Sequence, residues 1–389
     1  MNGGMLRCFH LLHQLSKYFD VTSIIKQNKD AFLVAKKHYH SLSTIDVYSI
    51  EESGYYKDVF SFLPLNLGSS IRYRWLKKQL SGPANSIYLD FYRIIHRTLQ
   101  DKVFDYVIME NLALLDLSSL ILKLNNNAII IYDAHNVDSI LADDNLRKNL
   151  ISARSAELTK RSESRIHLNA HSIFACSKID LNLLKKLNEN KINGYVVPNG
   201  TEIPPYSPKN YHESRNILFC GSMDYQPNQE GLIWFIMNIF QIILFEIPDV
   251  KLYIVGKGNP GTELARILKH PSIVNVGMVD KVDMYYSKAT VAIIPLLSGS
   301  GTRLKLLEAM AHRVPVVSTS VGAEGISWED GKSILIANDA KLFAKKVSNL
   351  LNNSYLAESI SASALALTKS KYDWNIIGRK MASYLKELK

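Results

Sequence analysis

Residues 295–320 read P-L-L-S-G-S-G-T-R-L-K-L-L-E-A-M-A-H-R-V-P-V-V-S-T-S: the end of an apolar strand, a glycine-rich basic loop, a short helical stretch and a second apolar strand. The strand Thr290 to Pro295 runs into Ser298, Gly299, Ser300, Gly301 and Thr302, small residues whose backbone N–H groups can approach an anion closely. Arg303 and Lys305 add positive charge where a helix N-terminus already favours phosphate. Glu308 follows about one turn on; a carboxylate there repels phosphate but accepts two hydroxyl hydrogen bonds well. A ligand that joins a diphosphate to a ribose satisfies loop and carboxylate together, so the stretch predicts a nucleotide site.

Outward from this stretch, apolar strands alternate with helical segments twice over. Val21 to Ile25, Tyr106 to Met109, Ala128 to Tyr132, Ser172 to Cys176 and Tyr195 to Val197 form the first series. Asn199-Gly200 and the polar stretch Pro204 to Arg215 read as a linker. Ile217 to Cys220, Leu252 to Val255, Ile273 to Val276, Val291 to Pro295, Val314 to Ser318 and Ile334 to Ile336 form the second series. Near-continuous apolar strands belong to parallel sheets covered on both faces. The expected architecture is α/β, with two doubly wound Rossmann-like domains facing each other across a cleft: residues 1–199, residues 200–370, and a C-terminal helix in 371–389 that packs back toward the first domain. Ligands in such sheets bind beyond the carboxyl ends of the strands, where the loop after Pro295 lies.

Composition fits a globular enzyme. The 389 residues exceed what one core usually serves, and 47% hydrophobic with 21% charged residues excludes a disordered chain. The net charge of +10 divides as +6 up to Gly200 and +4 beyond, so neither half is a polybasic tail. This balance suits anionic substrates or an anionic membrane surface; no nucleic-acid motif is present. Ile71 to Leu80 reads I-R-Y-R-W-L-K-K-Q-L, basic and amphipathic, the composition of an interfacial segment and equally of a solvated helix with its apolar stripe on the core. Cys8, Cys176 and Cys220 are widely separated and read as buried thiols in a reducing compartment, not as disulfides or metal ligands. No run of 18 apolar residues occurs and the start lacks a signal-peptide pattern. The expectation is a cytoplasmic protein, peripheral at most on the inner face of the plasma membrane.

An ordered series of motifs carries a family resemblance. V-V-P-N-G-T-E (196–202), I-L-F-C-G-S-M-D (217–224), P-D-V-K-L-Y-I-V-G-K-G (248–258), V-N-V-G-M-V-D (274–280), G-S-G-T-R-L-K-L-L-E-A-M-A (299–311) and V-P-V-V-S-T-S-V-G-A-E-G-I (314–326) resemble retaining glycosyltransferases of the two-Rossmann (GT-B) type, family 4 in particular. Y-D-A-H-N-V-D (132–138) and F-A-C-S-K-I-D (174–180) resemble the same family in the first domain.

The resemblance implies transfer of a sugar from a nucleotide-sugar donor to a glycan or lipid-linked glycan, with retention of configuration, as in bacterial surface polysaccharide synthesis. It implies that Arg303 and Lys305 bind the diphosphate and stabilise the leaving nucleotide, that Glu308 holds the ribose, and that the loop Gly299 to Thr302 with Gly221, Ser222, Asp224 and Gly256 borders the diphosphate. Met278, Val279 and Asp280 match the stretch beside the base. His135 matches a residue at the reacting centre, with Asn136 and Glu110 as further strand-end candidates. Gly3, Gly4 and Arg7 match the acceptor-side glycine loop and its helix. No cofactor or metal is expected, since cations, loop amides and a helix N-terminus already neutralise a diphosphate.

Each position also has a plainer reading: a solvated basic face for Arg303 and Lys305, a first-turn carboxylate placed by the helix dipole for Glu308, turn chemistry for the glycines, capping or packing for His135. Two departures stand out. The family's first glutamate falls on Ser300, and the family's opening strand has no counterpart before Gly3 and Gly4, so the first strand of the N-terminal domain is expected to be missing. A start codon misplaced onto an internal methionine would explain that. A non-hydrolysing sugar-nucleotide epimerase and a non-catalytic nucleotide- or glycan-binding partner share the expected fold.

Overall fold

The computed structural model describes residues 3–25, 45–49, 95–147, 149–205, 209–211, 214–299 and 301–389. Ser300 and the amphipathic segment Ile71 to Leu80 lie outside the described residues. The chain forms two compact units, with boundaries at Pro198/Asn199 and Ile377/Gly378; the last residues, Gly378–Lys389, belong to the first unit. The second boundary falls inside the terminal helix Trp374–Leu388 because its start is tied to the second unit. A Cβ placed on Gly200 would come within 2.7 Å of Ile377 and 2.8 Å of Trp374, and Thr201 N–H donates to the Tyr372 carbonyl at 2.8 Å.

In the first unit, β3 (Tyr106–Met109), β4 (Ile129–Ala134), β5 (Ser172–Ala175) and β6 (Asn193–Val196) make a parallel four-stranded sheet in chain order, while β1 (Val21–Ile25) and β2 (Ile45–Ser49) make a separate parallel pair. The sequence pattern predicts one sheet here and omits β2, whose I-D-V-Y-S is not a continuous apolar run. Ile130, Tyr132, Ile173 and Ala175 are buried in one core with Leu117, Ile121 and Leu184 of the covering helices.

The strands of the second unit are β7 (Asn216–Cys220), β8 (Lys251–Val255), β9 (Ile273–Gly277), β10 (Val291–Ile294), β11 (Val316–Ser318) and β12 (Leu335–Ile336). They form a parallel six-stranded sheet in the order β12-β11-β10-β7-β8-β9. Numbered from β7, this is the doubly wound order 6-5-4-1-2-3, which reverses direction between β7 and β10. One face packs on Leu232, Phe235, Ile239, Phe240 and Ile243, all fully buried, and the other on Leu306, Leu307 and Met310. The apolar run Gln226–Glu246 is long enough to cross a membrane, but those five side chains make it the core helix beneath this sheet.

Candidate functional site

The strand order decides where a site can form. Where β7 and β10 lie side by side, the loops leaving their carboxyl ends diverge to opposite faces and open a crevice between them. The first loop begins at Gly221 and leads into the helix Gln226–Phe235; the second runs from Pro295 to Arg303 and leads into the helix Leu304–Ala311.

Lys305 joins the two. Its Nζ donates to Asn228 Oδ1 at 2.7 Å, lies 4.5 Å from the centre of the Phe219 ring, and would come within 2.8 Å of a Cβ built on Gly221. Asn228 is held in turn by donating Nδ2–H to the Ser222 carbonyl at 2.7 Å. Burial pushes the Lys305 ammonium down to about 7, and the neighbouring Arg303 charge adds to that shift. A cation with a neutral acceptor and a ring face beside it gains more from an arriving anion than one already paired with a carboxylate.

Arg303 caps the same helix. Its side chain is buried, donating from Nε to the Val321 carbonyl at 3.3 Å and standing 3.8 Å from the Glu324 carboxylate. Burial lowers its pKa, with the Tyr225 hydroxyl and Glu324 opposing. Gly299 adopts a φ of +107°, and a Cβ there would meet the Tyr225 hydroxyl at 2.7 Å, so the left-handed turn between Tyr225 and Arg303 requires glycine. Gly301 is likewise left-handed, and the Oγ1 of Thr302 is buried without a hydrogen-bond partner. Ser298 donates to Glu230 at 3.0 Å, which ties the loop to the helix after β7.

Glu308 lies in the second turn of its helix, which starts at Leu304, so the first-turn dipole reading does not hold. Its Oε2 accepts from the Tyr286 hydroxyl at 3.2 Å, and burial raises its pKa despite that bond. Tyr286 also hydrogen-bonds Cys220 at the end of β7 and stacks on His312, 4.6 Å between ring centres. The carboxylate is thus fixed from one side by a phenol.

Gly256 needs more than turn chemistry. A Cβ there would land on the Gly221 carbonyl oxygen, so the backbones at the ends of β7 and β8 approach to a distance only glycine permits. Gly221 N–H in turn donates to the Val255 carbonyl at 2.9 Å. Ser222 Oγ donates to the Lys257 carbonyl at 3.4 Å and accepts from Asp224 N–H at 3.2 Å, shaping the first loop. Met278, Val279 and Asp280 follow β9, separated from β7 by β8; Met278 and Asp280 are exposed. The crevice therefore gathers Gly221, Ser222, Gly256, Gly299, Gly301, Thr302, Arg303, Lys305 and Glu308. Asn228, Tyr225 and Tyr286 belong to it too and were invisible as sequence motifs: each acts by pairing with a residue distant in the chain.

The first unit gathers a second cluster at the ends of β3 and β4. Glu110 Oε2 lies 2.7 Å from His135 Nε2 and accepts from the Cys8 thiol at 3.1 Å, while Cys8 Sγ lies 4.0 Å from His135 Nε2. Burial works against a charged imidazole, but the Glu110 hydrogen bond and the Asp133 charge outweigh it and raise His135; the same bond holds Glu110 low against the effect of burial. Cys8 is pushed up by burial and by Glu110. Beneath them Arg7, fully buried, donates to both Asp133 oxygens at 2.6 and 3.0 Å; burial opposes its charge, and Asp133 more than restores it.

Gly3 and Gly4 are wound into the first turn of the helix Gly3–Leu15 and form no loop there. Asn136 is half-buried beyond the cluster. The sequence spacing shows no metal-ligand group, yet the fold brings the ligand atoms of Cys8, Glu110 and His135 within 4.8 Å of one another. Cys8 is the residue sequence reasoning missed, because helical placement alone turns it toward two strand ends.

Comparison with known proteins agrees with this architecture. The model of the family described as Glycosyl transferases group 1 matches residues 214–353. An uncharacterized 44.6 kDa protein in the cps region of Klebsiella pneumoniae is 27% identical over 96% of this chain and 93% of its own length. The capsular polysaccharide biosynthesis glycosyltransferase CapM of Staphylococcus aureus is 25% identical over 54% of this chain and 60% of its own. The crystal structure of Anabaena Alr3699/HepE in complex with UDP and glucose superposes with a TM-score of 0.70 over 99% of this chain and 96% of that one, at 13% identity. Residues 214–353 thus match the group 1 glycosyltransferase family model, and the chain as a whole has the GT-B fold.

Proposed function

We propose that this protein transfers a sugar from a nucleotide-sugar donor to a glycan or lipid-linked glycan, with retention of anomeric configuration, in the synthesis of a cell-surface polysaccharide. The observation that carries the donor half is the buried Lys305 ammonium, held by neutral Asn228 at the β7/β10 crevice and flanked by Arg303 and Glu308. The diphosphate would take the cations and the loop amides, and Glu308 the ribose hydroxyls. As the glycosidic bond breaks, negative charge grows on the diphosphate, and groups already aimed at it stabilise that charge without reorganising.

The protein supplies position and charge; a phosphate oxygen of the departing nucleotide takes the acceptor's proton as the acceptor attacks from the face the nucleotide leaves. Arg303 and Lys305 hold the diphosphate, with no protein nucleophile and no resident metal in the step. His135, hydrogen-bonded to Glu110 at 2.7 Å, would orient the donor sugar. The polysaccharide setting is supported by the similarity to the protein of the Klebsiella cps region and to CapM. A cytoplasmic site of action, with peripheral attachment to the membrane that carries a lipid-linked acceptor, is part of the same proposal.

The test is turnover. Purified protein is incubated with a panel of sugar nucleotides, with and without membrane lipid extract as acceptor source, and free nucleoside diphosphate and the anomeric configuration of the product are measured. Acceptor-dependent release with a product of the donor's configuration is expected. Epimerised donor with no transfer would replace the proposal with an epimerase, inverted product would remove retention, and no turnover with any donor would leave a binding protein.

A further inference from the structure

We propose that Cys8, Glu110 and His135 form a binding site for a thiophilic divalent cation of the zinc class. Three elements contribute one ligand each: the helix Gly3–Leu15, the end of β3 and the end of β4. A sulfur, a carboxylate oxygen and an imidazole nitrogen are the donor set of borderline-soft ions, whereas magnesium and calcium take oxygen.

The geometry is close to what such an ion needs. Ligand atoms around tetrahedral zinc stand about 3 to 4 Å apart, and here the three separations are 2.7, 3.1 and 4.0 Å. Opening the short carboxylate–imidazole contact by about half an ångström is a side-chain adjustment within that geometry. The His135 and Glu110 side chains remain 23% and 33% exposed, which leaves a path for the ion and a fourth position for water.

Charge and rigidity point the same way. Arg7 is matched by Asp133, and Asp133 Oδ2 also lies 3.7 Å from His135 Nε2, so the ion pair fixes the end of β4 behind the ligands. With a neutral imidazole and a thiolate, Cys8, Glu110, Asp133 and Arg7 carry two net negative charges, which one divalent cation cancels. On binding, the thiol S–H bond breaks, its proton leaves to solvent, and a sulfur–metal bond forms with no change of oxidation state. The site shares His135 and Glu110 with the transfer reading, and the metal-bound form would not be the one in which His135 contacts the donor sugar.

The experiment is a titration of the full chain, stripped with chelator, with Co2+ as a spectroscopic substitute, followed by Zn2+. One equivalent of Co2+ should produce a thiolate-to-metal charge-transfer band together with the intense visible bands of a four-coordinate ion, and Zn2+ should displace it. Cys8→Ser should lose the charge-transfer band, and Glu110→Gln and His135→Ala should weaken binding about 10-fold or more, while a Cys176→Ala/Cys220→Ala double variant should bind as the parent does. Circular dichroism checks that each variant is folded. Absence of a charge-transfer band in the parent chain, or its persistence in folded Cys8→Ser, would overturn the proposal.

Discussion

Lys305 shows how one side chain can be both costly and useful. Its ammonium is disfavoured by burial, with a pKa of about 7 against the ordinary 10.5. Between those values the unfolded chain binds more protons than the folded one, so this residue makes stability rise with pH through that window. A bound diphosphate reverses the balance by favouring the charged form. Calorimetric titration with a nucleoside diphosphate at about pH 8, repeated in buffers of different ionisation enthalpy, should therefore show proton uptake. Lys305→Arg, charged at every accessible pH, should remove it.

Arg303→Ala is expected to lower transfer by about 100-fold or more, the scale of losing one electrostatic contact to a developing charge, measured as nucleoside diphosphate release. Unchanged turnover would remove Arg303 from the step. Both cations and Glu308 were legible in the sequence because a glycine loop, two basic residues and a carboxylate fall within one short stretch. Asn228 and Tyr286 were not, since nothing local distinguishes a buried asparagine or tyrosine that steadies a charge from one that fills a core.

Strand ends set the chemistry at the next scale. Gly256 sits where the backbones after β7 and β8 nearly touch, and the added methyl of Gly256→Ala must push the Gly221 carbonyl aside. Destabilisation of about 2 to 3 kcal/mol is expected from urea unfolding, typical of overpacking, together with weaker nucleotide binding. In the first unit the Arg7–Asp133 pair links the helix Gly3–Leu15 to β4. Arg7→Met removes one partner of a buried pair and should cost about 3 to 5 kcal/mol by the same measurement; a loss under about 1 kcal/mol would mean that Asp133 is accommodated without Arg7.

Most strands were readable because parallel strands covered on both faces are apolar along their length, as in V-A-I-I of β10 and S-I-F-A of β5. The polar residues of β2 hid it. The split of the first unit's strands into two sheets was also unreadable, since an apolar pattern specifies a strand but not its neighbour.

At the scale of the whole molecule, two units with separate cores divide the chain at Pro198/Asn199 and again inside the last helix. The motif series predicted two Rossmann-like folds, and the six-stranded order of the second places its glycine loop at the reversal of direction. The second unit holds the residues assigned to the donor's nucleotide. Residues 199–377 alone should fold and bind nucleoside diphosphate, yet catalyse no transfer, because the proposed sugar contact, His135, belongs to the other unit.

Binding of a sugar donor's nucleotide at the crevice between β7 and β10 is read out by a thermal-shift screen of nucleoside diphosphates against the full chain. A ligand that binds only the folded state raises the melting temperature. At least one nucleoside diphosphate should do so, more strongly than its monophosphate, and the shift should be lost in Arg303→Ala and reduced in Glu308→Gln. No shift with any nucleoside diphosphate, or a shift that survives both substitutions unchanged, would rule out the crevice as the nucleotide site.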